Sequence, residues 1–399
     1  MATFSVRFLG CKVSYADAQA VRERLLGAGH REVPGAGDVA VVNTCCVTHE
    51  AVSKSRQAVA RAARTHGRVY VTGCAASLPS AFEHAAPNVS VIARPSEEVP
   101  AAVAGDVGAI GCVQAHAGLE RIRAFVKIQD GCSFSCSFCV IPLVRGATRS
   151  RSAGAVLTEV ARRVEQGHRE IVLTGVNLGC FRDRGAGYAL PRLVREAGSI
   201  PGVERLRLSS IEVNHLGRDL VAALRETPTA SLHLHVPLQS GDDGVLRAMR
   251  RRYSSAQYLA KLDPLRDFNL TADVIVGFPG EDDAAFARTL DVVRAAGITR
   301  VHVFPYSPRP GTSTAAADTV PIEVKKQRSA SLRALSDELS RRRWHARVGT
   351  ADRVLVDRPG RGYADDYTPW LVREAGDVGC FVRARAIGVG DEGVLAVAA

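Results

Sequence analysis

Along most of this chain, short β-branched runs alternate with stretches of helical period, and that alternation leaves few folds open. TFSVRFLG, DVAVVN and RVYVTG read as strands within residues 3–95, and YADAQAVRERLLGAG and HEAVSKSRQAVARAART as the helices between them. Such βαβ units build a parallel sheet. From residue 121 the rhythm resumes with RAFVKIQ, EIVLTGV, RLRLSSIE, LHLHVPLQ, ADVIVGF and TRVHVFPYS, separated by helical stretches. Six βα units predict a barrel-like parallel sheet that stays incomplete, since a closed barrel of this kind has about eight. Residues 96–120 carry no clear period and read as a connector. A basic helix is expected at roughly 321–346, with Pro321 suited to its start. After it, VLVD, WLVRE, CFVRARAIGV and GVLAVA are short strands split by Gly- and Asp-rich turns, which predicts a small all-β barrel.

The positions of the cysteines within this frame point to chemistry. Cys11, Cys45 and Cys74 each follow a predicted strand, at the carboxyl rim where open α/β sheets bind ligands. Three separated cysteines on one rim predict a shared metal or cluster site. Cys46 is an alternative to Cys45, because adjacent residues in a loop diverge. A second set, Cys132, Cys136 and Cys139 in GCSFSCSFC, follows the first strand of the longer βα series. Structural zinc takes about four ligands, and neither His116 nor His168 lies at zinc-finger spacing. An iron–sulfur cluster held by three thiolates instead leaves one iron open for a substrate or cofactor.

The bulk properties agree with this. The formal charge of +11 and pI near 9.4 favour a polyanion such as RNA. No basic segment followed by a long apolar stretch opens the chain, and no apolar run of about 18 residues occurs, so neither a signal peptide nor a membrane span is expected. Ten cysteines in such a chain should be reduced, in a cytoplasmic protein. Isolated Cys112, Cys180 and Cys380 are read as small buried apolar residues.

Cys132, Cys136 and Cys139 match the motif of the radical S-adenosylmethionine (SAM) enzymes. GCKVSYADAQ, VVNTCCVT and YVTGCAAS, with FVKIQDGCSFSCSFCVIPLVRGATRSRS, LTGVNLG, RLSSIE, HLHVPLQSGDDGVLRAMRRRYS, DVIVGFPGE and HVFPYSPRPGT, resemble the methylthiotransferases of that superfamily over nearly the whole chain. GCKV and NTCCVT resemble the branch acting on N6-threonylcarbamoyladenosine (t6A) beside the tRNA anticodon. The family usually has Asn where this chain has Ser14.

The resemblance implies an α/β fold in three parts. These are an N-terminal Rossmann-like parallel-sheet domain (1–110), a central partial (β/α)6 TIM-like radical SAM barrel (118–346) and a C-terminal all-β TRAM barrel (347–399). It implies two [4Fe–4S] clusters, on Cys11, Cys45 and Cys74 and on Cys132, Cys136 and Cys139, with SAM on the second. The reaction implied inserts a methylthio group at C2 of t6A, with no catalytic side chain beyond the cluster ligands. Asn177, Ser210, Glu212, Gln239, Ser240 and Gly277, at predicted strand ends, are the SAM-binding candidates. Arg145, Arg149 and Arg151 are the RNA-binding candidates, with Arg250–Arg252 as a weaker set. His233 and His235 are read as interior packing with hydrogen bonds. Expected partners are tRNA and an electron donor such as a flavodoxin or ferredoxin system, around a monomer. Alternatives are action on isopentenyl-type adenosine or on a ribosomal-protein aspartate, or a non-catalytic zinc-containing RNA-binding protein. One feature fits poorly: the tail 349–399 holds 6 Arg, no Lys and 8 acidic residues, a net −2 that is odd for an RNA-binding module.

Overall fold

A computed structural model describes residues 1–78, 80–108, 122–374 and 376–399. Strand β1 (Thr3–Phe8) leads into α1 (Lys12–Gly27), followed by β2 (Arg31–Glu32), β3 (Gly37–Thr44), α2 (His49–Ala63), β4 (His66–Gly73), β5 (Val89–Val91) and α3 (Val99–Val107). The strands form one parallel sheet in the order β2-β1-β3-β4-β5. β3 is buried from Val39 to Thr44, as expected of a parallel strand covered on both faces. Phe4 and Tyr70 pack with α1 and α3 on one face, and Val42 and Val71 with α2 on the other.

The longer series runs β6 (Arg123–Asp130), α4 (Ile141–Arg145), β7 (Arg149–Ser150), α5 (Ala153–Glu165) and β8 (Glu170–Gly175), then a small hairpin of β9 (Arg182–Asp183) and β10 (Tyr188–Ala189). After it come α6 (Leu190–Gly198), β11 (Arg205–Leu208), α7 (Arg218–Glu226), β12 (His233–His235), α8 (Asp243–Ala248), α9 (Ser255–Leu262), β13 (Asn269–Val276), α10 (Asp283–Ala295), β14 (Ile298–Pro305) and α11 (Ile322–His345). Parallel strands β6, β8 and β11 adjoin in one sheet and β12, β13 and β14 in another. Isolated parallel bridges at Leu206–Ala230 and Ser210–His235 connect the two arcs. Side-chain alternation sorts the faces: Val126, Ile171, Leu206, Leu234, Ala272 and Val301 join the apolar core with the helices. The residues between them, such as Lys127, Glu170, Arg207, His235 and Asp273, therefore point to the inner face, which is polar. LHLHVPLQ forms a strand only at His233–His235. Pro237 has no N–H to donate, and Gln239 sits at a φ of 64°.

Strands β15 (Ala351–Arg358), β16 (Arg361–Tyr363), β17 (Pro369–Arg373), β18 (Phe381–Val389) and β19 (Val394–Ala398) close into a five-stranded barrel around Trp370, which is fully buried. Its 363–368 turn is inserted at the starts of the central strands. Arg205 meets Asp365 at 2.9 Å, Arg207 donates to the Ala364 carbonyl at 3.1 Å, and Arg123 to the Tyr367 hydroxyl at 3.1 Å. Asn269 Nδ2 donates to the Asp366 carbonyl at 2.8 Å, and Arg343 pairs with Asp366 at 2.8 Å. Beneath them the fully buried Glu170 accepts from Arg205 at 2.7 Å and from Arg207 at 2.8 Å. Three of the tail's eight acidic residues, Asp357, Asp365 and Asp366, are thus paired with Arg123, Arg205 and Arg343 outside the barrel. Cys380 is exposed, contrary to the expectation, because it lies in the turn before β18. Cys180 is half-buried, with its thiol 3.5 Å from His215 Nε2. Cys112 and His116 lie outside the described residues. No helix among the described residues is long and apolar enough to cross a membrane.

Candidate active site

The carboxyl ends of β1, β3 and β4 converge through glycine. Gly10 has a φ of 125°, and a Cβ there would meet the Cys45 Sγ at 3.3 Å. Gly73 has a φ of 84°, and a Cβ would lie 2.6 Å from the Thr44 carbonyl. Only glycine lets these turns close so tightly. Cys11 caps α1, Cys45 follows β3, and Cys74 opens a short 3₁₀ turn after β4. Burial pushes the Cys45 thiol up to about 11, with Cys74 and Cys11 near enough to add to the rise. Cys46 is fully buried and packs with Cys74, Ala75 and Val140. Its thiol is hydrogen-bonded to Cys74, and with Arg145 this holds the Cys74 thiol below the ordinary thiol range against its burial. The Ser14 hydroxyl lies 3.8 Å from the Cys11 sulfur.

The second trio is a single loop after β6. Gly131, with a φ of 68°, starts it, and a Cβ there would lie 2.1 Å from the Ala147 carbonyl. The Phe134 amide donates to Cys132 Sγ at 3.4 Å and Asn177 Nδ2 approaches it at 3.7 Å. Arg251 donates to Cys136 Sγ at 3.3 Å and is ion-paired with Glu212. Burial raises Cys139 to about 12, and Cys136 and Cys132 lie close enough to contribute. Phe134 sits between His215, at 6.0 Å, and Arg252, at 5.4 Å, and screens the loop.

One side chain ties the trios together. Arg145, at the end of α4, donates from Nε to Cys74 Sγ at 3.0 Å. Its other nitrogens reach Asp130, beside the second loop, at 2.9 Å and Asp17, on α1, at 2.8 Å. Lys127 joins both carboxylates. Burial alone would raise Asp130; Arg145 and Lys127 outweigh it and hold the carboxyl well below its usual range. Arg145 therefore departs from its expected RNA role, because its guanidinium is buried and fully engaged. Arg149 is exposed and pairs with Glu97 at 3.1 Å, and Arg151 bonds Glu159 at 2.6 Å. Arg251 is likewise part of the site rather than of a solvated arginine face.

The SAM candidates divide. Asn177 is buried beside Cys132, and its Oδ1 has no hydrogen-bond partner. Glu212 stands next to the same loop through Arg251. Ser210 bridges to His235, and Gln239 to Val274. Ser240 turns outward, with its hydroxyl 3.3 Å from Thr289 on α10. The Gly277 amide donates to Glu281 at 2.6 Å, and a Cβ there would meet Lys325 at 2.4 Å. His233 and His235 both hydrogen-bond Thr271 Oγ1, at 3.1 and 3.0 Å. Sequence reasoning placed Arg251 in a basic run rather than on a cysteine, and it did not single out Asp17 or Asp130; the signal for each is a tertiary approach with no local pattern.

The donor sets suit a multi-iron cluster. A single zinc would hold sulfurs about 4 Å apart. Among the described residues, only His235, Asp273 and His302 bring three such donor atoms all within 4.8 Å of one another, and neither cysteine trio does. Two trios of free cysteines, spread wider than one ion would allow and with N–H donors on their sulfurs, fit iron–sulfur cubanes.

Residues 126–293 match the model of the radical SAM superfamily, and residues 3–93 match that of the uncharacterized protein family UPF0004. The chain is 35% identical to the threonylcarbamoyladenosine tRNA methylthiotransferase MtaB of Bacillus subtilis, covering 86% of this chain and 82% of that protein. The corresponding Chlamydia pneumoniae protein is 32% identical, with 92% and 90% covered. A tRNA-2-methylthio-N(6)-dimethylallyladenosine synthase of Streptomyces viridosporus is 34% identical, with 94% and 80% covered. In fold, the chain is similar to the radical SAM methyltransferase TsrM of Kitasatospora setae, with a TM-score of 0.59 at 13% identity over 78% of this chain and 75% of that one.

Proposed function

The chain belongs to the radical SAM tRNA methylthiotransferases, and we propose that within them it converts t6A next to the tRNA anticodon to its 2-methylthio form. The family works with two [4Fe–4S] clusters and SAM. When bound, these supply the adenosyl radical, the methyl group and the sulfur, chemistry beyond any side chain. What remains to the protein is positioning.

In this reading Cys132, Cys136 and Cys139 hold the SAM cluster at the mouth of a partial (β/α)6 barrel, and Cys11, Cys45 and Cys74 hold the second. The observation that carries it is Arg145, which touches Cys74 Sγ at 3.0 Å and Asp130 at 2.9 Å and so fixes one trio against the loop of the other. Cys45 is favoured over Cys46, since its sulfur faces the Cys11 turn. Asn177, with its unpaired Oδ1 beside Cys132, is the favoured SAM contact. Arg149 is the RNA contact best placed among the three arginines, because it is exposed near the mouth. The proposed division remains 1–110, 118–346 and 347–399, with the tail a TRAM domain. The protein would act as a cytoplasmic monomer fed by a flavodoxin- or ferredoxin-type donor.

The opening GCKV and NTCCVT, together with the polar inner face of the central strands, support t6A over an isopentenyl adenosine. Nucleoside mass analysis of tRNA from a strain lacking the protein tests this. Loss of methylthio-t6A is expected, and its persistence without a redundant enzyme would remove the assignment.

A further inference from the structure

Three donors outside both cysteine trios stand together on the inner face of β12, β13 and β14. The parallel register sets Asp273 beside His302, and His235 beside Thr271, two residues before Asp273. Side chains two apart on a strand share a face, so His235, Asp273 and His302 meet on one surface. His235 Nε2 lies 3.2 Å from Asp273 Oδ1, and the His235 and His302 rings are 5.5 Å apart. One donor atom from each residue falls within 4.8 Å of the other two.

This geometry suits a metal ion. Two nitrogen or oxygen donors on a tetrahedral zinc, each at about 2.0–2.1 Å, lie about 3.3 Å apart, close to the separation of His235 and Asp273. The far nitrogen of His235, Nδ1, is held by Thr271 Oγ1 at 3.0 Å. An imidazole tied at one nitrogen presents the other with its ring already oriented. His302 is exposed and touches His235, but it makes no hydrogen bond or ion pair among the described residues. It also lines a cavity of about 700 Å³ with Arg300, Phe304, Trp344 and Tyr363, beside β14, the outer strand of its sheet. That cavity gives an ion a way in.

An ordinary ion pair explains only part of the arrangement. His235 and Asp273 can satisfy each other without help; His302 brings a second imidazole to the same place with nothing there to bond. Two imidazoles and one carboxylate suit zinc or ferrous iron, whereas magnesium and calcium take oxygen donors. We propose that His235, Asp273 and His302 bind one divalent transition-metal ion, with water in the fourth place. The ion joins three successive strands of the arc that ends at β14. The site does not depend on which adenosine the enzyme modifies.

For the test, the holoenzyme with its clusters reconstituted is dialysed anaerobically against increasing zinc. Elemental analysis gives zinc and iron per chain, and zinc-edge X-ray absorption gives the ligands. One zinc per chain is expected beside the iron, with nitrogen and oxygen at about 2.0–2.1 Å, imidazole scattering, and no sulfur at about 2.3 Å. His302→Ala and Asp273→Asn should each raise the zinc dissociation constant at least about tenfold, since losing even an outer partner of a ligand costs that much. His302 is exposed, so its variant keeps the test decisive if Asp273→Asn fails to fold. Zinc bound through sulfur would place it on the cysteines and overturn the site. So would a wild type that takes up no zinc, or a His302→Ala that binds it as tightly as the wild type.

Discussion

The two cysteine trios hold the same number of thiols by opposite constructions. Cys132, Cys136 and Cys139 belong to one loop, and their spacing alone brings them together. Cys11, Cys45 and Cys74 come from three strand ends and meet only because the parallel sheet sets β1, β3 and β4 side by side and glycine closes the turns. Each set has an arginine on one sulfur, Arg251 on Cys136 and Arg145 on Cys74. Arg251 serves the trio of its own βα series, whereas Arg145 reaches across from the other trio's side. The loop set is gathered by local spacing; the rim set is finished by a side chain from α4, beyond its own sheet.

The sharpest way to break this pairing is to remove one thiol from each set. Cys136→Ala should abolish both 5′-deoxyadenosine formation and methylthiolation. Cys74→Ala should keep SAM cleavage and lose only the methylthio product; chromatography of the nucleosides measures both. Cys74→Ala that still methylthiolates would deny the second set its role.

The arginines come next. Arg145→Ala leaves the buried Asp17 and Asp130 with only one of their two cations, Lys127, a loss of about 3–5 kcal/mol that denaturant melts should register. It should cut methylthio product more than SAM cleavage, whereas Arg251→Ala should cut SAM cleavage itself. Equal effects from both would erase the distinction between a loop-held and a rim-held set.

A smaller effect concerns pH and lies away from both trios. Burial would raise Glu170, but Arg207, Arg205 and Arg123 outweigh it and bring the carboxyl down to about 2. A depressed folded pKa adds stability above the unfolded value and loses it as pH falls through the folded one. Acid melts between about pH 4.5 and 2 should therefore steepen with Glu170 present and flatten in Glu170→Gln. The smallest effect is expected at the surface. Arg149→Ala breaks an exposed pair with Glu97 and should cost less than about 1 kcal/mol of stability. It should lower the salt slope of tRNA binding by about one.

The same contrast explains what the sequence disclosed. The C-x3-C-x2-C loop was legible as spacing, and Cys11, Cys45 and Cys74 as strand ends, because both follow from local pattern. The alternation of TFSVRF, DVAVVN and RVYVTG with helices carried the first sheet, and Gly- and Asp-rich turns carried the last barrel. Arg145 read as a basic residue near RNA, because nothing in IPLVRGATR shows that Asp17, far upstream, would claim it. Cys380 was expected inside on residue type alone, and a turn put it outside.

The acidic turn at residues 363–368 has a consequence for how this protein could be shortened or rebuilt. Cutting the chain after α11 would not yield a leaner enzyme with weaker RNA affinity. It would strip Arg205, Arg207 and Asn269 of partners at the floor of the central strands and open His233 to water. A tail borrowed from a relative with basic residues in that turn would set like charges against like. The C-terminal barrel is in this sense a foundation stone, and its sequence is answerable to the floor it closes before it is answerable to any RNA.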